Sequence, residues 1–468
     1  MAHPRDPRAR RFRAYIERLT VALGHADRHE PMRAYLTGLC LPGERKSIEP
    51  MAARVDPRHV RARHQSMHHF VANAPWDGAA VLRVARDWVR EPMARHGPVA
   101  AWIVDDTGYP KKGRHSVGVA RQYCGPLGKP DNCQVAVSVS LANDAVSVPV
   151  AYRLYVPERW AQDRRRRRAV GVPDDLEFQP KWQLALAQIR ALLAEGVPPA
   201  PVVADAGYGD TTEFREAVTA AGLAYAVGVK GETTVWRPGQ APRPPKPRRG
   251  GRGRPSIRVR RTARHQPVSL KRLAAELPAS AWQTVTWRAG TRGAMRSRFA
   301  RLRVRPAHRD ENRSEPRPEE WLVMEWPRGE SDPTKYWLST LPAPAPIAAL
   351  VRLAKLRWRI ERDYQELKDE LGLDHFQGRG WRGFHHHGAL CIAAYAFLAA
   401  ERATLSPPLC LLPSSAPLVF PKVSSRGALP VRPERHVPTS IATMYRLLAR
   451  AVLRGRPCRS CGHQPRRR

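Results

Sequence analysis

The chain has 468 residues, 42% of them hydrophobic, which is room for two to four domains and a sizeable core and excludes a disordered protein. It carries 80 Lys and Arg against 42 Asp and Glu, a formal net charge of +38 that exceeds what solubility needs and suits a polyanion, with nucleic acid the leading partner. No apolar stretch opens the chain, and its longest apolar run, 388–400, is too short to span a bilayer, so a cytoplasmic, nucleoid-associated protein is expected. Seven Cys, an odd number without framework spacing, point to reduced thiols rather than disulfides.

Residues 1–95 carry helical apolar periodicity around Phe12, Ile16 and Leu19 and again around Val81, Leu82 and Val89, with basic residues riding on both stretches. They read as a small helical, DNA-contacting domain, and the segment Gly43-Glu44-Arg45-Lys46-Ser47 adds to its positive charge. From residue 99 the pattern changes. The run Val99-Ala100-Ala101-Trp102-Ile103-Val104 is continuously apolar and stops at Asp105-Asp106-Thr107, as a buried strand does on reaching the edge of a sheet. Two alternating strands, 133–141 and 146–156, follow as a meander about a turn at Asn143-Asp144. Five consecutive arginines, 164–168, form a basic loop, and a helix runs through residues 181–189. A fourth strand, 201–204, ends at Asp205-Ala206-Gly207-Tyr208; a helix over 211–221 and a strand over 224–229 come next.

Residues 231–345 form an insertion. Its first part, with Gly251-Arg252-Gly253-Arg254-Pro255, is too rich in Pro, Gly and Arg to pack a core. Two readings of Arg252 and Arg254 stand: an AT-hook entering a narrow minor groove, or a basic linker. Four later segments, 283–287, 300–304, 321–325 and 336–339, alternate like strands.

Past the Pro-rich 342–346 segment a single helix is expected over 347–371, ended by Gly372. Leu353, Leu356, Ile360, Leu367 and Leu371 make its apolar stripe; Arg357, Glu361, Tyr364 and Lys368 line the edge of that stripe. Three histidines, 385–387, lead into an apolar helix over 388–402, and consecutive residues do not share a face, so phosphate contact or helix capping is expected of them rather than metal binding. The tail, 403–468, is Pro-rich and basic; Cys458 and Cys461, with His463 nearby, make half of a zinc site at most.

Taken together, Val104-Asp105-Asp106-Thr107, Val203-Ala204-Asp205-Ala206-Gly207-Tyr208 and Arg357-Trp358-Arg359-Ile360-Glu361 with Lys368 resemble the three signatures of bacterial insertion-sequence DDE transposases. The group most similar carries a β-rich insertion before the Glu and a Tyr-Arg-Glu-Lys motif on the last helix; the Tyr position is Ala354 here. The resemblance implies an α/β fold with a ribonuclease H-like mixed sheet as its core, split between residues 96–230 and 346–402. It implies metal-dependent cleavage at terminal inverted repeats and transfer of 3′-OH ends into target DNA, with Asp106, Asp205 and Glu361 holding two Mg²⁺, or Mn²⁺ in their place. Two divalent cations 3.5–4 Å apart activate the attacking oxygen and stabilise the leaving one, and Mg²⁺ needs few carboxylates beside substrate phosphate. Asp106 is preferred to Asp105 because it precedes Thr107 as in the signature, and neighbours on a strand face opposite ways. The resemblance further assigns Arg357 and Lys368 to DNA phosphate and implies double-stranded DNA as partner, bound by a homodimer. It also points to Trp337 as an aromatic that stacks on a flipped base; a core aromatic is the other reading of that residue. A related nuclease without strand transfer and an inactive DNA-binding remnant are the alternatives.

Overall fold

The computed structural model of the chain describes residues 6–246, 257–290, 293–405 and 440–454. The segments holding Arg252 and Arg254, Cys458 and Cys461, and most of the Pro-rich tail lie outside the described residues. Two compact units share the chain: Met1–Val99 with Asp106–Pro180 and Arg359–Arg468, and Ala100–Asp105 with Lys181–Trp358.

The first unit begins with five α-helices, Pro7–Val21, His29–Cys40, Ile48–Val55, Val60–Ala72 and Gly78–Ala94. Asp6 starts the first by accepting from the Arg8 N–H at 2.9 Å, with Pro7 in the first helical turn; Asp77 starts the fifth by accepting from the Ala79 and Ala80 N–H groups. These helices pack around Trp381–Leu405, a 25-residue helix buried along nearly its whole length. By length and composition this helix could cross a membrane, which the shorter run 388–400 did not suggest, but 83% of its most apolar window is buried inside the protein. The Tyr15 hydroxyl donates to the Ala393 carbonyl at 2.7 Å, and Arg11 clamps the buried Glu401 carboxylate with two bonds of 2.7 and 2.6 Å.

Strand β1 (Ala101–Pro110) runs through both units. In the first, β2 (Ala120–Cys124) pairs antiparallel with β3 (Lys129–Ala142), and β3 with β4 (Ser147–Leu154). The expected turn between β3 and β4 is made by Asn143, whose side-chain oxygen accepts from the Ala145 and Val146 N–H groups while its amide donates to the Met93 and Gly97 carbonyls. The arginine run is a short helix, Arg164–Ala169, rather than a loop: Asp163 accepts from the Arg166 N–H at 2.9 Å and caps it.

In the second unit β1 pairs parallel with β5 (Val202–Ala204), and β5 parallel with β6 (Tyr225–Val229). The remaining strands are β7 (Thr234–Trp236), β8 (Val268–Ser269), β9 (Gln283–Gly290), β10 (Gly293–Pro306), β11 (Glu320–Trp326) and β12 (Lys335–Ser339). The order β1-β5-β6-β12-β11-β10-β7-β8, with β9 on β10, joins them to the parallel strands in one sheet. The insertion is thus a continuation of the core sheet through the antiparallel β6–β12 pairing, in which Tyr336 stands opposite Val229 and Ser339 opposite Ala226. Parallel and antiparallel pairings in one sheet, with crossover helices Lys181–Ala194 and Thr212–Ala220, make the fold a ribonuclease H-like α/β mixed sheet, as the sequence implied.

The helix expected over 347–371 is broken in two, Ile347–Lys355 and Trp358–Leu371, with a turn at Leu356-Arg357. The stripe residues Leu353, Leu356, Ile360, Leu367 and Leu371 are all buried. At the break the Leu356 N–H closes back three residues on the Leu353 carbonyl, and the Arg357 guanidinium turns to the Asp105 carboxylate at 2.7 Å.

The three histidines do not cap a helix; they sit inside the first turns of Trp381–Leu405, bonded within the protein. His385 accepts from the Leu154 N–H, His387 joins the Tyr35 hydroxyl at 2.8 Å to the Gly372 carbonyl at 3.0 Å, and His386 stacks on Trp76 with 3.6 Å between centroids. Burial penalises the imidazolium and pushes all three from 6.5 down to about 4. Between those values the unfolded chain binds protons that the folded chain refuses, so stability is complete above pH 6.5 and is lost as pH falls toward 4. At 1.36 kcal/mol per pKa unit each imidazole accounts for at most about 3 kcal/mol. The melting temperature should therefore drop across that window, and drop less in His387→Asn; a flat profile from pH 6.5 to 4 would contradict the neutral, buried histidines.

Candidate active site

The parallel register of the second unit sets Trp102 opposite Val202 and Ile103 opposite Val203, a constant offset of 100 positions. Continued along the strands, that offset brings Asp105 level with Asp205. Both apolar runs thus emerge at one end of the sheet, where the carboxyl ends of parallel strands place ligand-binding groups. β5 stops at Ala204, whereas β1 does not stop at its acids as expected but runs on to Pro110, carrying Asp106 as its next residue.

Asp205 takes the capping role open to it: it precedes the short helix Ala206–Gly209 and accepts from the Gly207 N–H at 2.9 Å. A carboxylate has about four lone-pair directions, so one accepted bond leaves acceptor capacity for a cation. The chain can fold back so tightly after Asp205 because Gly209 lies against β6. A Cβ on Gly209 would come within 1.9 Å of the Gly228 carbonyl oxygen.

Asp105 and Asp106 are consecutive residues of β1. Asp105 is ion-paired with Arg357, the arginine assigned to phosphate. This contact joins the acid end of β1 to the residue at the break between the two helices. Glu361 is exposed on the first turn of Trp358–Leu371. Two turns further on, the Lys368 ammonium donates to the Gly108 carbonyl at 3.0 Å and lies 5.1 Å from the Tyr109 ring centroid, beside the strand that carries Asp106. Burial lowers its pKa, partly offset by Asp374.

Trp337 is a correction to the expected site. It is 9% exposed in a core cluster with Phe299, Trp321 and Val323, and the Lys355 ammonium lies 5.3 Å from its ring centroid, held there by Glu325 at 2.5 Å. A residue covered in this way is the core aromatic of the other reading, not a base-stacking platform. Among the described residues no three His, Cys, Asp or Glu side chains stand grouped as a ready-made metal set.

The sequence reading missed the polar network under Glu361. Asp363 accepts from the Ser147 hydroxyl at 2.5 Å and from the Tyr395 hydroxyl at 2.9 Å, and Tyr395 reaches Glu366 at the same distance. Burial pushes the Asp363 carboxyl up to about 6. Its signal was available: Asp363 lies three after Ile360 and four before Leu367, inside the apolar stripe.

With this geometry in hand, the comparisons with known proteins define a class: residues 18–294 match the family described as DDE superfamily endonuclease, and the chain belongs to that family. The matched span includes Asp106 and Asp205 and ends before the helix of Glu361. More particularly, the chain is 31% identical over 167 residues to the probable transposase for insertion sequence element IS701 of Microchaete diplosiphon. That match covers 36% of this chain and 40% of the relative, so the chain spans about two fifths of the relative's length.

Gly209→Ala should force the Asp205 loop away from β6. The expected cost is about 1–3 kcal/mol of stability, read by thermal melting, together with a loss of activity larger than the change in folded fraction. A substitution that left melting unchanged would show that the close approach to Gly228 is not a constraint.

Proposed function

We propose that this protein is a DNA transposase of an insertion sequence. It cleaves DNA at terminal inverted repeats in a metal-dependent reaction and transfers the 3′-OH ends to target DNA, with Asp106, Asp205 and Glu361 as the catalytic acids. The observation that carries the proposal is the offset of 100 between β1 and β5, which brings two acid-tipped parallel strands out at the same sheet end in a member of the DDE endonuclease family. The partial likeness to a probable insertion-sequence transposase and the +38 net charge support the same reading.

The donor set fits magnesium: three carboxylates supply hard oxygen ligands, and each is carried on an element that holds it, a strand for Asp106, a capped turn for Asp205 and a helix for Glu361. Two Mg²⁺ ions, for which Mn²⁺ can substitute, would supply activation of the attacking oxygen and stabilisation of the leaving one. Arg357, paired with Asp105, places a guanidinium beside the acid-bearing strand, a cation of the kind that meets phosphate bidentately. Lys368, pinned to Gly108, holds a second positive charge near Asp106 along the same strand. An element has two ends, so two copies acting as a homodimer would cut both.

The test is Mg²⁺- or Mn²⁺-dependent nicking of a labelled duplex bearing the terminal sequence found beside the gene, followed by capture of its 3′ end by a target plasmid. Asp106→Asn, Asp205→Asn and Glu361→Gln should each abolish nicking while leaving duplex binding in place. Asp105→Asn should instead lower the melting temperature, by releasing Arg357, and retain residual nicking. Two acid mutants that nick at the wild-type rate would end the assignment. Nicking without end capture would replace it with a nuclease.

A further inference from the structure

The first unit contains a cationic cleft that the catalytic acids do not use. A cavity of about 470 Å³ is lined by Arg45, Ser47, Lys111, Lys112, Ser116 and Gln377, with His375 and a single carboxylate, Asp374. A second cavity of about 400 Å³ shares Ser47, His375, Phe376 and Gln377 with it and continues past Arg379, His64 and His68, with Glu49 as its carboxylate. The two form one trough. Its walls are the segment before helix Ile48–Val55, the loop that leaves β1 at Pro110, and the loop after helix Trp358–Leu371.

We propose that this trough binds the phosphodiester backbone of the DNA strand being cut, about four nucleotides from the scissile phosphate. The inference rests on the transposase reading and extends it with a path for the strand. Four steps of extended chain separate Asp106 from Pro110, about 13 Å at roughly 3.3 Å per residue. A nucleic-acid strand covers that distance in about four nucleotides at roughly 3.4 Å of axial rise each. Lys368, bonded to Gly108, stands between the two ends of that path, so positive charge continues from the catalytic strand into the trough.

The chemistry of the lining selects backbone rather than bases. Arg45 and Lys112 are exposed, and Lys111 spends one N–H on the Phe376 carbonyl at 2.8 Å, which pins the loop and leaves two donors for phosphate. The hydroxyls of Ser47 and Ser116 and the amide of Gln377 are donors to phosphate oxygens; the Ser47 side chain does not cap the helix it precedes. Of the aromatic side chains in the lining, Phe376 is stacked on His387 at 5.5 Å and Tyr35 is buried and bonded to His387, so neither offers a platform for a base. Lys46 contributes no free charge to the trough, because its buried ammonium is bonded to the Leu39 and Leu41 carbonyls and the Tyr445 hydroxyl.

The experiment compares full-length Arg45→Ala/Lys112→Ala with Arg10→Ala/Arg13→Ala, which removes the same charge from exposed positions of helix Pro7–Val21. Binding of a fluorescein-labelled duplex is measured in EDTA over a salt series, with melting curves to confirm equal folding. The trough pair should bind roughly tenfold more weakly and show a salt slope shallower by about 2, while the control pair stays near wild type. Equal losses in both pairs, no loss in the trough pair, or a wild-type protein that does not bind the duplex would overturn the proposal. Because the readout needs no metal and no cutting, its failure is distinguishable from failure of the nicking test.

Discussion

The parallel pairing of β1 with β5 is the constraint on which the rest of the second unit depends. Two apolar strands buried on both faces must each end in something polar where they leave the core, and their fixed offset makes those polar ends coincide. The two strands leave the core in different ways. After β5 the chain turns at once, with Asp205 capping a four-residue helix pressed so close to β6 that only glycine fits at 209. β1 continues for five more residues past Asp105, and the buried end of the strand can carry an acid there because Arg357 meets it. The same contact turns the guanidinium away from a regular helical course where Ile347–Lys355 gives way to Trp358–Leu371.

In the first unit the corresponding constraint is the helix Trp381–Leu405, which is covered on all sides and so must satisfy every polar group it brings inside. His385 and His387 do so as neutral rings, one nitrogen accepting and the other donating, whereas His386 stands between the Val71 and Trp76 carbonyls, only one of which a neutral ring can serve. Tyr395 on the same helix holds Asp363 and Glu366 from beneath, which fixes the helix whose exposed side carries Glu361. The acid proposed for catalysis and the acids that anchor its helix are thus two and five residues apart, one on the surface and two in the core.

Those particulars also show which features were legible in the sequence. Apolar runs that end in Asp are visible at Val104 and Ala204, and the strands of the insertion alternate, so the mixed sheet could be read from pattern, and the acid-tipped ends of two of its strands with it. β2 could not, because Ala120–Cys124 is a short, half-exposed strand with no apolar alternation to mark it. The break at Leu356-Arg357 was hidden because the apolar spacing runs through it; it coincides with an ion pair between residues 252 positions apart, and no local pattern encodes such a contact. Trp337 was ambiguous for a related reason. Its side of β12 is covered by the helix that supplies Lys355, and burial of one face of a strand depends on what packs there, not on the strand's own sequence.

The net charge needs the same division between surface and interior. A total of +38 suggests a uniformly basic surface, yet many of its arginines serve the fold. Arg167 donates to the Ala161 and Asp174 carbonyls, Arg305 to the Arg317 carbonyl, and Arg317 to the His308 carbonyl, each closing a loop with a planar fork that lysine lacks. These bonds satisfy carbonyls that the strands and helices leave over, so the guanidinium replaces a turn or a cap rather than meeting DNA. The charge open to a polyanion is what remains after this subtraction. In the first unit it includes the cations of the trough, where Arg45 and Lys112 are exposed and Lys111 is only partly committed. Composition points to a class of partner, but the hydrogen-bond partners of individual cations decide which charges remain open to it.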